Sequence, residues 1–183
     1  MKISMIACVT TDMCIGFSNK LLISLKPDMN HFKMMTMGRV VVMGSNTYRS
    51  LPDMKPLPGR TNVIISRKMA EAPEGFEVYH SVEEFMEAYR DRDDEIFIIG
   101  GAGVYDAFMP YAGKIYLTHV HRDSVSLIQR MYGEYGSGPL VTGTMFPKSV
   151  YKYQWDLQKS VDEVCLCEEY GIVHYNFLTL VKK

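Results

Sequence analysis

Asp28 and Phe32 lie four residues apart in the stretch LLISLKPDMNHFKMMTMGRVVVMG, residues 21–44. At that spacing both side chains project from one face of a helix. A carboxylate beside an aromatic ring can grip a flat heterocycle that carries amino groups. The same carboxylate also suits the first turn of a helix, where it meets the positive end of the dipole. Two glycine motifs offer a second kind of chemistry. Gly44-Ser45-Asn46-Thr47 and Gly100-Gly101-Ala102-Gly103 each follow an apolar run and open a helical segment. Backbone amides at such a turn bind phosphate, and missing side chains let a diphosphate approach. Either motif alone also reads as a tight strand-to-helix turn. Ser66-Arg67-Lys68 adds cationic side chains that can meet a further phosphate. No Ser-His-Asp, Cys-His or paired-carboxylate arrangement stands out, and no set of spacings completes a metal site. A protein short of acid–base groups leaves the hard chemistry to a cofactor.

The elements that position these residues alternate. Strands are predicted at 3–9, 40–43, 61–66, 96–99 and 115–120, with a closing hairpin of 163–168 and 173–181 turning at Tyr170-Gly171. Helices are predicted from Ser24 as N-cap to a stop at Gly38, as a short turn after Gly44, behind the capping box Ser81–Glu84, and over 104–109. A long loop joins the first strand to the first helix, and a proline-rich loop spans 52–59. This order predicts a single α/β domain over 1–183, with a mostly parallel central sheet, helices on both faces and an antiparallel C-terminal hairpin. Ligands then bind at the carboxyl ends of the strands, where both glycine motifs fall. Residues 122–144 form an atypical insertion, with a short apolar patch followed by a Gly/Ser/Pro cluster that breaks a helix.

Composition narrows the function classes. The chain has 183 residues, 47% of them apolar, enough for one substantial core. A net charge of −1 without a dense basic cluster argues against nucleic acid as the main partner. The apolar run at the N-terminus is too short for a membrane span or signal peptide. The four cysteines form no C-x-x-C pair, which points to a reduced, cytoplasmic protein.

Taken in order, the motifs resemble the dihydrofolate reductase family over most of the chain. They are I-A-C-V-T-T-D-M-C-I-G at 6–16, D-M-N-H-F-K at 28–33, V-V-M-G-S-N-T-Y-R-S-L at 41–51, L-P-G-R-T-N-V-I-I-S at 57–66, I-I-G-G-A-G-V-Y at 98–105, Y-L-T-H at 116–119 and M-F-P at 145–147. The resemblance implies NADPH-dependent reduction of dihydrofolate to tetrahydrofolate by a monomer. Asp28 would bind the 2-amino group and ring nitrogen of the pterin, supported by Thr118. Ile6, Phe32, Leu51, Leu57 and Ile99 would form the apolar wall, and Arg60 would pair with the folate α-carboxylate. Ala7, Ile15, Gly16 and Asn19 would lie near the nicotinamide. Gly44, Ser45, Thr47, Gly100, Gly101, Ala102, Gly103, Val104 and Tyr105 would surround the diphosphate and nicotinamide, and Ser66, Arg67 and Lys68 the adenosine phosphate. The implied proton donor to N5 is a water, with Asp28 polarising the ring.

Three departures from the family pattern stand out. Leu22-Ile23 replaces a Pro-Trp pair, Ser45 replaces a basic residue, and Gly143 stands where a loop-holding carboxylate is expected. A same-fold reductase of another pteridine or pyrimidine, and a catalytically weak folate- or nucleotide-binding structural protein, are the alternatives. The Asp28–Phe32 pair with Arg60 in L-P-G-R argues against the first.

Overall fold

The computed structural model describes residues 1–132 and 143–183. Strand β1 (Lys2–Val9) runs into a loop holding the short β2 (Cys14–Gly16), and the chain then enters helix α1 (Lys26–Thr36). Next come β3 (Val40–Gly44), α2 (Ser45–Ser50), β4 (Thr61–Ile65) and β5 (Phe76–Tyr79). Helix α3 (Val82–Ala88), β6 (Glu95–Gly100), α4 (Ala102–Phe108) and β7 (Ala112–Val120) continue the alternation. Helix α5 (Ser124–Tyr132), β8 (Thr144–Met145) and the long hairpin β9 (Trp155–Cys167) and β10 (Gly171–Lys182) complete the described elements.

Among the described residues the main sheet has eight strands in the order β5-β4-β3-β6-β1-β7-β10-β9. The pairings from β5 to β7 are parallel, and those of β7 with β10 and of β10 with β9 are antiparallel. The expected α/β class, with its antiparallel closing hairpin, is the observed one. Parity along the strands sorts the core into two faces, as a pleated sheet requires. Val40, Val42, Ile96 and Ile98 pack with Phe85 of α3 and Phe108 of α4, whereas Val41, Met43 and Phe97 pack with Phe32 and Met35 of α1 and Tyr48 of α2. A third cluster joins Cys14, Leu22, Ile23 and Leu25 of the loop to Leu127 and Ile128 of α5 and to Val173 and Tyr175 of β10.

Several local expectations are corrected. The N-cap of α1 is Leu25, with no side-chain cap, and Ser24 is exposed. Leu25 is 1% exposed, so its burial beside Leu22 and Ile23 sets where the helix begins. Pro27 does sit in the first turn, and Gly38 adopts φ +72° just past the C-cap. Strand β5 is an addition to the expected strands, being only four residues long and without a clear apolar pattern. In the insertion the apolar patch is helix α5, while the Gly/Ser/Pro cluster lies outside the described residues. The closing hairpin is longer than expected, 13 and 12 residues against short runs. The capping box of α3 is half formed. Ser81 Oγ accepts from Glu84 N at 3.0 Å, but the Glu84 carboxylate accepts from His80 N.

Candidate active site

Parallel strands end together, and the register brings the motif residues to that common edge. Gly44 of β3 is level with Ile65 of β4, Met43 with Gly100 of β6, and Cys8 of β1 with Thr118 of β7. Residues singled out in the sequence lie at or just past each of these positions.

Asp28 is 9% exposed in the first turn of α1, and the Thr118 hydroxyl of β7, itself 2% exposed, donates a hydrogen bond to it. Burial pushes the Asp28 carboxyl above its ordinary value, and the Thr118 bond offsets part of that rise. The charge of Asp28 reaches Cys8, whose thiol is pushed well up, chiefly by burial and then by that carboxylate. Helix-capping alone does not need a carboxylate this far out of water. Beyond it, Phe32, Leu51, Leu57 and Ile99 are half-buried against Ile6 and the cluster of Val41, Met43 and Phe97. Half-exposure of so many large apolar groups leaves a wall open to a flat ligand.

Arg60 stands at the far end of this wall. Its Nε donates to Pro58 O at 3.0 Å and its Nη1 to Thr36 Oγ1 at 3.4 Å, while Thr36 Oγ1 donates to Phe32 O. The guanidinium is half-buried and keeps donors free for an anion. Asn62, 3% exposed and not among the residues the sequence singles out, fixes this turn. Its side chain bonds Leu57 N, Leu57 O and Arg60 O, each at 3.0 Å. The signal for it in the sequence is an amide side chain inside an otherwise apolar strand.

The glycine turns face one another. A Cβ on Gly44 would meet Val104 Cγ2 at 2.9 Å, and one on Gly101 would meet Thr47 Oγ1 at 3.5 Å. Gly100 has φ +117°, a conformation side chains rarely adopt, and the Gly100–Gly101 peptide is cis. The Tyr105 hydroxyl is not free for a ligand, since it is buried and donates to Ile6 O at 2.7 Å. Ala7, Ile15 and Val104 pack in the same cluster as Tyr105. Ala102 and Gly103 lie further out, lining a shallow cleft with Lys148 and Lys152. Ser66 is held by its N–H to Tyr79 O and by its carbonyl to His80 Nδ1, each within 3.0 Å. Arg67 and Lys68 are just beyond it on the chain, and Ser45 is half-buried at the start of α2.

The loop after β1 closes over the end of the sheet. Gly16 pairs with Thr144 and Cys14 with Met145, and Met13 O accepts from Phe146 N at 2.7 Å. Asn19 is exposed in a turn closed by reciprocal bonds between Phe17 and Lys20. The Cys14 thiol donates to Thr144 O and Gly16 O, and a Cβ at position 143 would overlap it. Gly143 is thus the residue that this loop packing requires. Among the described residues no group of His, Cys, Asp and Glu could hold a metal ion.

Comparison with known proteins gives one consistent result. A family model described as dihydrofolate reductase matches residues 2–128. Dihydrofolate reductase type 3 of Salmonella typhimurium is 39% identical over 120 residues, which cover 66% of this chain and 72% of the relative. The dihydrofolate reductase of Haemophilus influenzae is 31% identical over 183 residues, covering 100% of both chains. A structure of the Enterococcus faecalis dihydrofolate reductase, complexed with NADP(H) and RAB-propyl, superposes with a TM-score of 0.80. The match covers 100% of this chain and 96% of that one at 24% identity, a likeness of fold. The chain belongs to the dihydrofolate reductase family.

Proposed function

We propose that this protein reduces 7,8-dihydrofolate to 5,6,7,8-tetrahydrofolate with NADPH, by hydride transfer to C6 and protonation at N5. Such a reaction supports one-carbon metabolism and thymidylate synthesis. The observation that carries the reading is the buried Asp28–Thr118 pair at one end of a half-exposed apolar wall that has Arg60 at the other. A polar ring edge, a flat body and an anionic tail match those three features in order.

Bound NADPH supplies the hydride. Gly44 lets the Val104 side chain pack directly on the end of β3, which brings the two glycine turns together. Their backbone amides, with open space at Gly103, suit a diphosphate. Gly44, Ser45, Thr47, Gly100, Gly101, Ala102, Gly103 and Val104 hold it there, and Ser66, Arg67 and Lys68 meet the adenosine phosphate. Ala7, Ile15, Gly16, Asn19 and Tyr105 border the nicotinamide, Tyr105 through its ring, because its hydroxyl is committed to Ile6 O. Ile6, Phe32, Leu51, Leu57 and Ile99 hold the pterin and benzoyl groups flat, and Arg60 pairs with the α-carboxylate through parallel N–H donors. Asp28 accepts from the pterin 2-amino group and ring nitrogen. Its raised pKa favours sharing a proton with the ligand, and a water passes the proton to N5. Orientation in a dry slot supplies much of the rate. Residues 1–183 form one reductase domain, and it acts in the cytoplasm as a monomer.

Purified protein mixed with dihydrofolate and NADPH, then with NADH, tests the reading by loss of nicotinamide absorbance. The expected result is dihydrofolate-dependent oxidation blocked by methotrexate, faster with NADPH because Arg67 and Lys68 meet its extra phosphate. Absence of dihydrofolate-dependent oxidation with either cofactor overturns it.

A further inference from the structure

The two glycine turns lack cations of their own. None of the residues from Gly44 to Thr47 or from Gly100 to Val104 is basic, yet a diphosphate carries negative charge on both of its phosphates. The cations nearest to hand come from beyond residue 128, where the family match ends. An open cleft of about 480 Å³ has Ala102, Gly103 and Asp106 of α4 on one side and Lys148, Ser149 and Lys152 on the other. A Cβ at Gly103 would meet nothing within 4 Å, so its backbone lies bare on this cleft.

Both lysines sit on a short 3-10 helix, Lys148–Lys152, that three contacts hold in place. Val150, 7% exposed, is buried in the main core, and its carbonyl accepts from Trp155 Nε1 at 2.9 Å. Just before the turn, Phe146 packs on Tyr105 of α4 with ring centroids 5.0 Å apart. Ser149 Oγ donates to Asp106 Oδ1 at 2.5 Å, again on α4. Lys148 and Lys152 themselves are exposed, and no ion pair among the described residues includes either ammonium.

We propose that Lys148 and Lys152 are cofactor-binding residues, which supply the cations that the glycine turns lack and meet the cofactor diphosphate at Gly103. The proposal rests on the reductase reading for the identity of the anion. The anchored turn sets where the two stems leave the backbone, so the lysines face Gly103 across the cleft before any ligand arrives. Asp106 is the carboxylate that opposes them there, and the Ser149 hydroxyl already occupies one of its oxygens. Its charge should therefore act with the opposite sign to theirs.

Calorimetric titration of the purified protein with NADPH and with NADH, at low and at high salt, tests the assignment. Both cofactors carry the diphosphate, and NADPH alone carries the further phosphate on its adenosine. Lys148→Gln and Lys152→Gln are each expected to weaken both cofactors by about threefold, and the double variant by about tenfold. Asp106→Asn, which keeps an oxygen to accept from Ser149, should tighten both by about twofold. High salt should narrow all these differences, because it screens exposed charges. Thermal unfolding of the lysine variants should match wild type, since neither ammonium is paired within the fold. Unchanged affinity for both cofactors overturns the proposal. Weakening of NADPH alone also overturns it, by moving the lysines to the adenosine phosphate. Weakening that high salt leaves intact marks a structural effect and overturns it as well. A wild type that binds neither cofactor would instead overturn the reductase reading on which the proposal rests.

Discussion

Asp28 carries an energetic signature that can be tested without substrate. A carboxyl whose pKa is raised in the folded state binds its proton more tightly there than in the unfolded chain. Its contribution to stability is therefore full below the ordinary carboxylate value and is lost as pH rises through the raised one. Asp28→Asn removes the buried charge while keeping an oxygen to accept from Thr118. The variant should be at least as stable as wild type near neutral pH, and its advantage should vanish on acidification. Denaturant unfolding across that pH range measures this, and an Asn variant that loses stability at neutral pH contradicts it. Turnover of the same variant at neutral pH should fall by about a hundredfold or more. Of the residues singled out in the sequence, Asp28 and Phe32 stand out as a pair by their four-residue spacing, whereas Thr118 enters only through the resemblance, because its partner Asp28 lies far away along the chain. Asn62, Lys148 and Lys152 are not legible, since single polar residues acquire meaning only when the fold brings their partners within reach.

Elements are legible in the sequence where burial and local chemistry point the same way. Val40–Gly44 and Glu95–Gly100 are largely apolar and end in glycine, and both are central strands. The start of α1 departs from expectation because tertiary burial of Leu25 overrides the cap preference of Ser24. Helix α5 is hidden in the sequence because it is made by packing Leu127 and Ile128 on a loop far away along the chain. At this scale the contact between the two glycine turns makes its own prediction. Gly44→Ala places a methyl group 2.9 Å from Val104 Cγ2, on a β-branched side chain with little freedom to move. Overpacking of this kind costs about 1–3 kcal/mol. Because it separates β3 from α4 where the diphosphate is proposed to sit, NADPH affinity should fall more than stability does. Calorimetric titration and thermal unfolding of the variant check the pair, and unaltered NADPH affinity contradicts the cradle.

For the whole molecule, the order of strands explains why one edge collects the chemistry. Consecutive parallel pairings from β5 to β7 send every carboxyl end to the same side, and the antiparallel hairpin extends the sheet beyond β7 without interrupting that edge. Alternation alone predicts that class, but the order β5-β4-β3-β6-β1-β7-β10-β9 comes from long-range pairing that no local pattern encodes. Asp28 of α1 is tied to β7 through Thr118, on one side of β1, and the glycine turns lie at the ends of β3 and β6 on its other side. In the proposed reaction the two ligands would meet above β1, where the hydride would pass between them. Single-turnover reduction of dihydrofolate with NADPH deuterated at the transferable C4 position, followed by mass and proton spectra of the product, measures that passage. Deuterium is predicted at C6 of tetrahydrofolate in wild type, with a transfer rate lowered by about a hundredfold or more in Asp28→Asn. Deuterium absent from C6, or transfer at the wild-type rate in Asp28→Asn, would contradict it.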